Sequence, residues 1–97
     1  MIRKSNEITL KEAIESLLNA YKLTGKLNET RLIASWDKVV GNHIARHTGD
    51  IYIKGEILFV NLDSAALKNE LSMAKTKLVI SLNRFAGVNV ITEIRFI

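Results

Sequence analysis

Trp36-Asp37-Lys38-Val39-Val40-Gly41-Asn42-His43-Ile44-Ala45-Arg46-His47-Thr48 is where helical patterning gives way to strand patterning. The stretch holds the chain's single tryptophan and both of its histidines. Trp36, Val40 and Ile44 recur every four residues, so on a helix they share one face. A buried tryptophan on that face would be the largest anchor of a small core. Thr48-Gly49 stops the pattern, and alternation of apolar residues begins at Ile51. Helices therefore lie mostly before this stretch and the sheet after it.

Working upstream, Thr9 followed by Glu12 has the form of a capping box, and Leu10, Ala13/Ile14, Leu17/Leu18 and Tyr21 repeat at helical spacing. Thr24-Gly25 predicts the end of that first helix, with Gly25 as a left-handed cap. Asn28 predicts the N-cap of a second helix whose stripe is Leu32, Ile33, Trp36, Val39, Val40 and Ile44. Gly41 lies inside that stripe. Because Ile44 continues the pattern, Gly41 reads as a point of close packing rather than as a break. Met1 to Glu7 is polar, as a frayed terminus would be.

Working downstream, Ile51 to Lys54 and Ile57 to Leu62 are rich in β-branched and aromatic residues, and Lys54-Gly55-Glu56 between them is a turn signal. The pair predicts a hairpin with Leu58, Val60 and Leu62 facing the core and Tyr52 and Phe59 on the other face. Asp63 or Ser64 caps a long third helix with Leu67, Leu71, Ala74, Leu78, Leu82 and Phe85 on one side, ended by Gly87. Val88 to Ile97 is a last strand, with Val90, Thr92, Ile94 and Phe96 on one face. The predicted order is α-α-β-β-α-β: an α+β fold with a three-stranded mixed sheet and helices packed on one face.

Composition narrows the class. The chain has 97 residues, the size of one domain, here residues 1–97. Apolar residues make up 47%, ordinary for a folded protein. Apolar runs fall far short of the ~20 residues of a membrane span, so no membrane role is expected. Met1-Ile2-Arg3-Lys4 has no following apolar segment, so no signal peptide is expected. Cysteine is absent, which excludes disulfides and thiolate metal sites. Proline is absent too, so nothing breaks the helices from within. The net charge of +4 permits nucleic acid or an acidic protein surface as partner and demonstrates neither.

Catalytic chemistry finds little support. His43 and His47 are four apart, a spacing that can hold a metal, but Ile44 stands where the zinc-binding H-E-x-x-H pattern needs glutamate. Only Asp50 is a nearby carboxylate, so no metal and no cofactor are expected. Ser64, His47 and Asp63 make a triad on paper, yet no G-x-S-x-G pattern surrounds Ser64, and a helix cap accounts for it more simply. No phosphate-binding glycine loop is present.

The basic residues carry more information. Lys68 and Lys75 are seven apart and flank one edge of the third helix's stripe; Lys77 and Arg84 flank the other. They either solvate an amphipathic helix or join Arg46, Lys54 or Arg95 in a phosphate-binding patch. Met73 and Ile80 lie near the Lys77/Arg84 edge and pack under another element or meet a partner. Tyr52 and Phe59 would stack on bases if exposed on the sheet.

The set Trp36-x-x-Val39-Val40-Gly41-x-x-Ile44-Ala45-x-His47-Thr48, Gly55-x-x-Leu58-x-Val60, Ser64-x-Ala66-x-x-x-Glu70-Leu71 and Ile94-Arg95-Phe96 resembles the DciA family of bacterial proteins, long catalogued as a domain of unknown function. The resemblance implies a KH-like αββαβ core. It also implies a cytoplasmic, non-enzymatic adaptor of DNA replication that binds a replicative DnaB-type helicase and, weakly and non-specifically, DNA. Leu67 stands where family members commonly carry Trp, and many members have a basic extension beyond the position of Ile97. Asp63 to Phe85 reads as one uninterrupted helix without the G-x-x-G loop of true KH domains, so sequence-specific RNA binding in the KH manner is not expected.

Overall fold

A two-residue turn sets the sheet. In the computed structural model, which describes residues 9–97, β1 (Thr48–Lys54) and β2 (Ile57–Leu62) pair antiparallel, with Lys54 opposite Ile57. Met1 to Glu7, expected to fray, lies outside the described residues. The turn Gly55-Glu56 has a positive φ only at its first residue, +62° at Gly55, the sign pattern of a type II′ turn. Near its start β1 carries one extra residue, a bulge between Thr48 and Ile51. β3 (Glu93–Phe96) lies parallel to β2 on its other side, Leu58 opposite Ile94 and Phe59 opposite Arg95. The order β1-β2-β3 is a three-stranded mixed sheet, and with its helices the fold is α+β, as the sequence predicts.

One face of the sheet is the core. Leu58, Val60, Leu62 and Ile94 are buried there together with Leu32, Trp36, Leu78 and Leu82 from the helices. Trp36 is 1% exposed, and its indole Nε1–H donates to Thr48 Oγ1 at 3.0 Å. Thr48 Oγ1 in turn donates to the Ile44 carbonyl at 2.9 Å. The helix-to-strand transition is thus closed by a relay through the one polar atom of the core's largest side chain.

The helices depart from the predicted boundaries in three places. First, α1 (Leu10–Ala34) runs straight through Thr24-Gly25 and Asn28. Gly25 has no positive φ and serves as no cap. Good helix formers stand on both sides, so a lone glycine's cost of about 1 kcal/mol does not stop the helix. The capping box at its start is real: Thr9 Oγ1 accepts from the Glu12 amide at 3.1 Å. The helix ends at Ser35, whose buried hydroxyl donates to the Leu32 carbonyl at 2.7 Å. Second, Gly41 does break the helix, separating α2 (Trp36–Val40) from α3 (Asn42–Arg46). Its φ of +88° and ψ of 167° lie in a region open essentially to glycine alone. A Cβ there would meet nothing within 4 Å, so backbone conformation and not close packing requires this glycine.

Third, the long third helix is two: α4 (Ala65–Ser72) and α5 (Lys75–Ala86), joined by the turn Met73-Ala74. Ser64 caps α4, accepting from the Leu67 amide at 3.2 Å, and Leu67 and Leu71 are buried as expected. In α5 the buried stripe is Leu78, Leu82 and Ala86, which turns Phe85 outward to 53% exposure. Gly87 ends α5 in the left-handed conformation, as predicted. The segment from Val88 to Thr92 is not strand. Asn83 holds it: Asn83 Oδ1 accepts from the Val90 and Ile91 amides at 2.9 and 3.1 Å, and Nδ2 donates to the Ile91 carbonyl at 2.8 Å. Ile91, rather than Thr92, is the core residue this delivers.

Candidate nucleic-acid interface

The helices' buried residues pack with Leu58, Val60 and Ile94, and among the described residues the other face of the sheet stays open. The register puts Tyr52, Phe59 and Arg95 in one row across the three strands, and Lys54, Ile57 and Glu93 in the next. Tyr52 and Phe59 stack, with ring centroids 5.1 Å apart and planes 15° from parallel. The Arg95 guanidinium lies 5.8 Å from the Phe59 centroid, and Lys54 Nζ 5.9 Å from that of Tyr52. Tyr52 is exposed and Phe59 half-buried. The result is a flat aromatic shelf with a cation over each ring. Each cation stays in water and gains little from its ring.

Arg95 is also paired within its own strand. Its Nε donates to Glu93 Oε2 at 2.7 Å. That bond holds the Glu93 carboxyl below its usual range. Both side chains are half-exposed, so the pair is a weak tether that orients the guanidinium.

The other candidate cations divide. Lys75 sits on the first turn of α5, half-buried, with Nζ 5.8 Å from the Phe96 ring on the core side of β3. Lys75 and Arg95 therefore border β3 from its two sides. Lys68 is on α4, across the Met73-Ala74 turn, so the seven-residue spacing that put Lys68 and Lys75 on one helix edge does not operate. Lys77 and Arg84 do share α5 and are both exposed. Arg84 borders an open cleft with Asn83, Gly87 and Asn89. Arg46 ends α3. Among the described residues no contact draws Arg46, Lys68, Lys77 and Arg84 into one patch with the shelf. Met73 and Ile80 are both exposed rather than packed under another element.

The paper triad resolves into local structure. His47 Nδ1 and Asp63 Oδ1 are 2.7 Å apart, tying the start of β1 to the end of β2, while the Ser64 hydroxyl caps α4. His43 and His47 rings meet edge to face at 5.3 Å. Among the described residues no three His, Cys, Asp or Glu side chains converge as a metal site would need. The Glu93–Arg95 pair was the one feature of the shelf that the sequence left unnoticed; its signal was the i, i+2 spacing that puts both on one face of a strand.

The geometry is that of a small α+β fold with one covered and one open sheet face. Residues 9–96 match the family model described as "Dna[CI] antecedent, DciA", and the chain belongs to the DciA family. It is also similar to a "UPF0232 protein" of Corynebacterium glutamicum (strain R), at 36% identity over 62 residues. That match covers 64% of this chain and 35% of the relative, so the chain accounts for about a third of the relative's length. No helix among the described residues is long and apolar enough to cross a membrane.

Proposed function

We propose that this chain is a non-enzymatic, cytoplasmic adaptor of DNA replication. It binds a replicative DnaB-type helicase and makes weak, sequence-indifferent contacts to DNA. The match of residues 9–96 to the DciA family carries the reading. The sheet shelf supports the DNA contact: aromatic faces accept unstacked bases of any identity, and Lys54 and Arg95 beside them suit phosphates. Lys75 extends the positive border along β3. Arg46, Lys68, Lys77 and Arg84 contribute diffuse attraction, which suits a chain of net charge +4.

A shelf on this scale contacts about three phosphates. Single strands should then bind with a log-affinity against log-salt slope near −2, and Kd should lie around 10⁻⁴ to 10⁻⁶ M at physiological salt. Fluorescence anisotropy with a labelled oligonucleotide tests it. Tyr52→Ala with Phe59→Ala should lower affinity at least tenfold, since stacking is worth about 1–3 kcal/mol per base. Lys77→Glu with Arg84→Glu should lower it only slightly. The reverse order would move the site to α5.

The Glu93–Arg95 pair favours a second reading, a protein-interaction module with no nucleic-acid role, because it halves the shelf's positive charge. Absence of binding at low salt would select it.

A further inference from the structure

The open sheet face carries one acid among its cations. Of the six residues in its two rows, Tyr52-Phe59-Arg95 and Lys54-Ile57-Glu93, Glu93 is the one carboxylate. Side chains alternate along β3, and Ile94 points into the core, so Glu93 and Arg95 share the open face. The Arg95 Nε–H donates to Glu93 Oε2 at 2.7 Å, the length of a charge-assisted bond. The guanidinium lies 5.8 Å from the Phe59 centroid. Among the described residues Arg95 makes no other ion pair. The shelf's arginine therefore already holds an anion before any ligand arrives.

A phosphate has two routes to this guanidinium. On the Nε edge it must displace the carboxylate. On the edge formed by the two Nη atoms it leaves two anions on one cation, and they repel each other. Either route weakens binding. Other charges border Glu93 without replacing Arg95. Lys75 acts on it from the first turn of α5, and Lys54 lies across Ile57 in its own row. Glu56, in the hairpin turn, stands beside the strand's start, its carbonyl accepting from the Thr92 amide at 2.8 Å.

We propose that Glu93 is a counter-anion built into the shelf: it holds Arg95 in the free chain and must yield it when a nucleic-acid phosphate binds. The inference rests on the shelf's binding single strands, and it names the residue that limits that binding. A pH dependence follows. In the free chain the Arg95 hydrogen bond, with the charges of Arg95 and Lys75, outweighs desolvation and keeps the Glu93 carboxyl below its usual range. In the complex Glu93 loses that bond and gains a phosphate as neighbour, so it takes up a proton more readily. Protonation thus favours the complex. The limit set by Glu93 is fully present at neutral pH and fades as pH falls through the glutamate range.

Fluorescence anisotropy with a rhodamine-labelled thymidine oligonucleotide tests this. Thymine offers Glu93 no exocyclic amine, so the readout belongs to the phosphates. Around neutral pH and at low salt, Glu93→Gln should bind about two- to fivefold more tightly than the wild type, the span of an exposed ion pair. The gap should narrow as pH falls from about 7 toward about 4. Glu56→Gln removes the same charge from the turn and should change affinity less than about twofold. In an Arg95→Gln background, Glu93→Gln should lose most of its effect, because the guanidinium that brings the two anions together is gone. Far-UV circular dichroism at each pH checks that these exposed substitutions leave the fold intact.

A Glu93→Gln variant that binds like the wild type, or more weakly, would overturn the proposal. So would a gain matched by Glu56→Gln, a gain undiminished without Arg95, or a gap that stays constant with pH. In each of those cases the wild type still binds, and the shelf reading stands. Absence of binding by the wild type and Glu93→Gln alike would remove the shelf reading and the proposal with it.

Discussion

Alanine in place of glycine should have opposite effects at two positions in this chain. At Gly41, φ +88° and ψ 167° place the backbone where a side-chain-bearing residue is strained by about 1–3 kcal/mol. No atom lies within 4 Å of the added Cβ, so strain is the whole native-state cost. Alanine also narrows the unfolded ensemble, which offsets about 0.4–1 kcal/mol. The net loss for Gly41→Ala is about 1–2 kcal/mol, which for a domain this size lowers Tm by about 5–15 °C. At Gly25 the backbone is helical and the space beside it open. Gly25→Ala should therefore raise helix content and strengthen α1 by up to about 1 kcal/mol. Thermal and urea unfolding followed by far-UV circular dichroism, with hydrogen exchange along α1, reads both. The reasoning fails if Gly41→Ala is neutral or stabilising, or if Gly25→Ala destabilises as it would at a left-handed helix cap.

Trp36→Ala should cost about 3–5 kcal/mol in urea unfolding, a large part of the stability of a domain of this size; an equally stable variant would contradict the buried indole. Asn83→Ala removes three hydrogen bonds that hold Val90 and Ile91, and should cost about 2–4 kcal/mol by the same assay while leaving a folded protein. Elemental analysis of protein purified without a nickel column should find no stoichiometric metal, since His47 is engaged with Asp63 and, among the described residues, no third ligand stands near His43; tightly held zinc would overturn that.

What the sequence made legible followed from repetition. Period-two alternation in Ile57–Leu62 placed Leu58, Val60 and Leu62 in the core, and the same period put Tyr52 and Phe59 on the open face. The cap at Ser64, the Gly55 turn and the burial of Trp36 each rest on a local rule that tertiary structure did not oppose. The misplacements came where glycine or a break has two physical readings. Gly25 and Gly41 look alike in sequence; one is absorbed by a helix and the other takes a conformation only glycine reaches. The turn at Met73-Ala74 carries no glycine, proline or other breaker, so spacing alone joined α4 to α5, and with them Lys68 to Lys75. Asn83 at a half-polar position in α5 gave no sign that it anchors a loop seven residues onward. The long apolar face of α1 was visible as a stripe, but that the body ends before it could only be seen in three dimensions.

The adaptor role meets its most direct test in binding between this purified chain and a purified DnaB-type helicase from the same source, measured by biolayer interferometry after nuclease treatment of both. The account predicts a saturable complex that forms without DNA and survives Tyr52→Ala with Phe59→Ala. No binding to the helicase, with or without added single-stranded DNA, would contradict it.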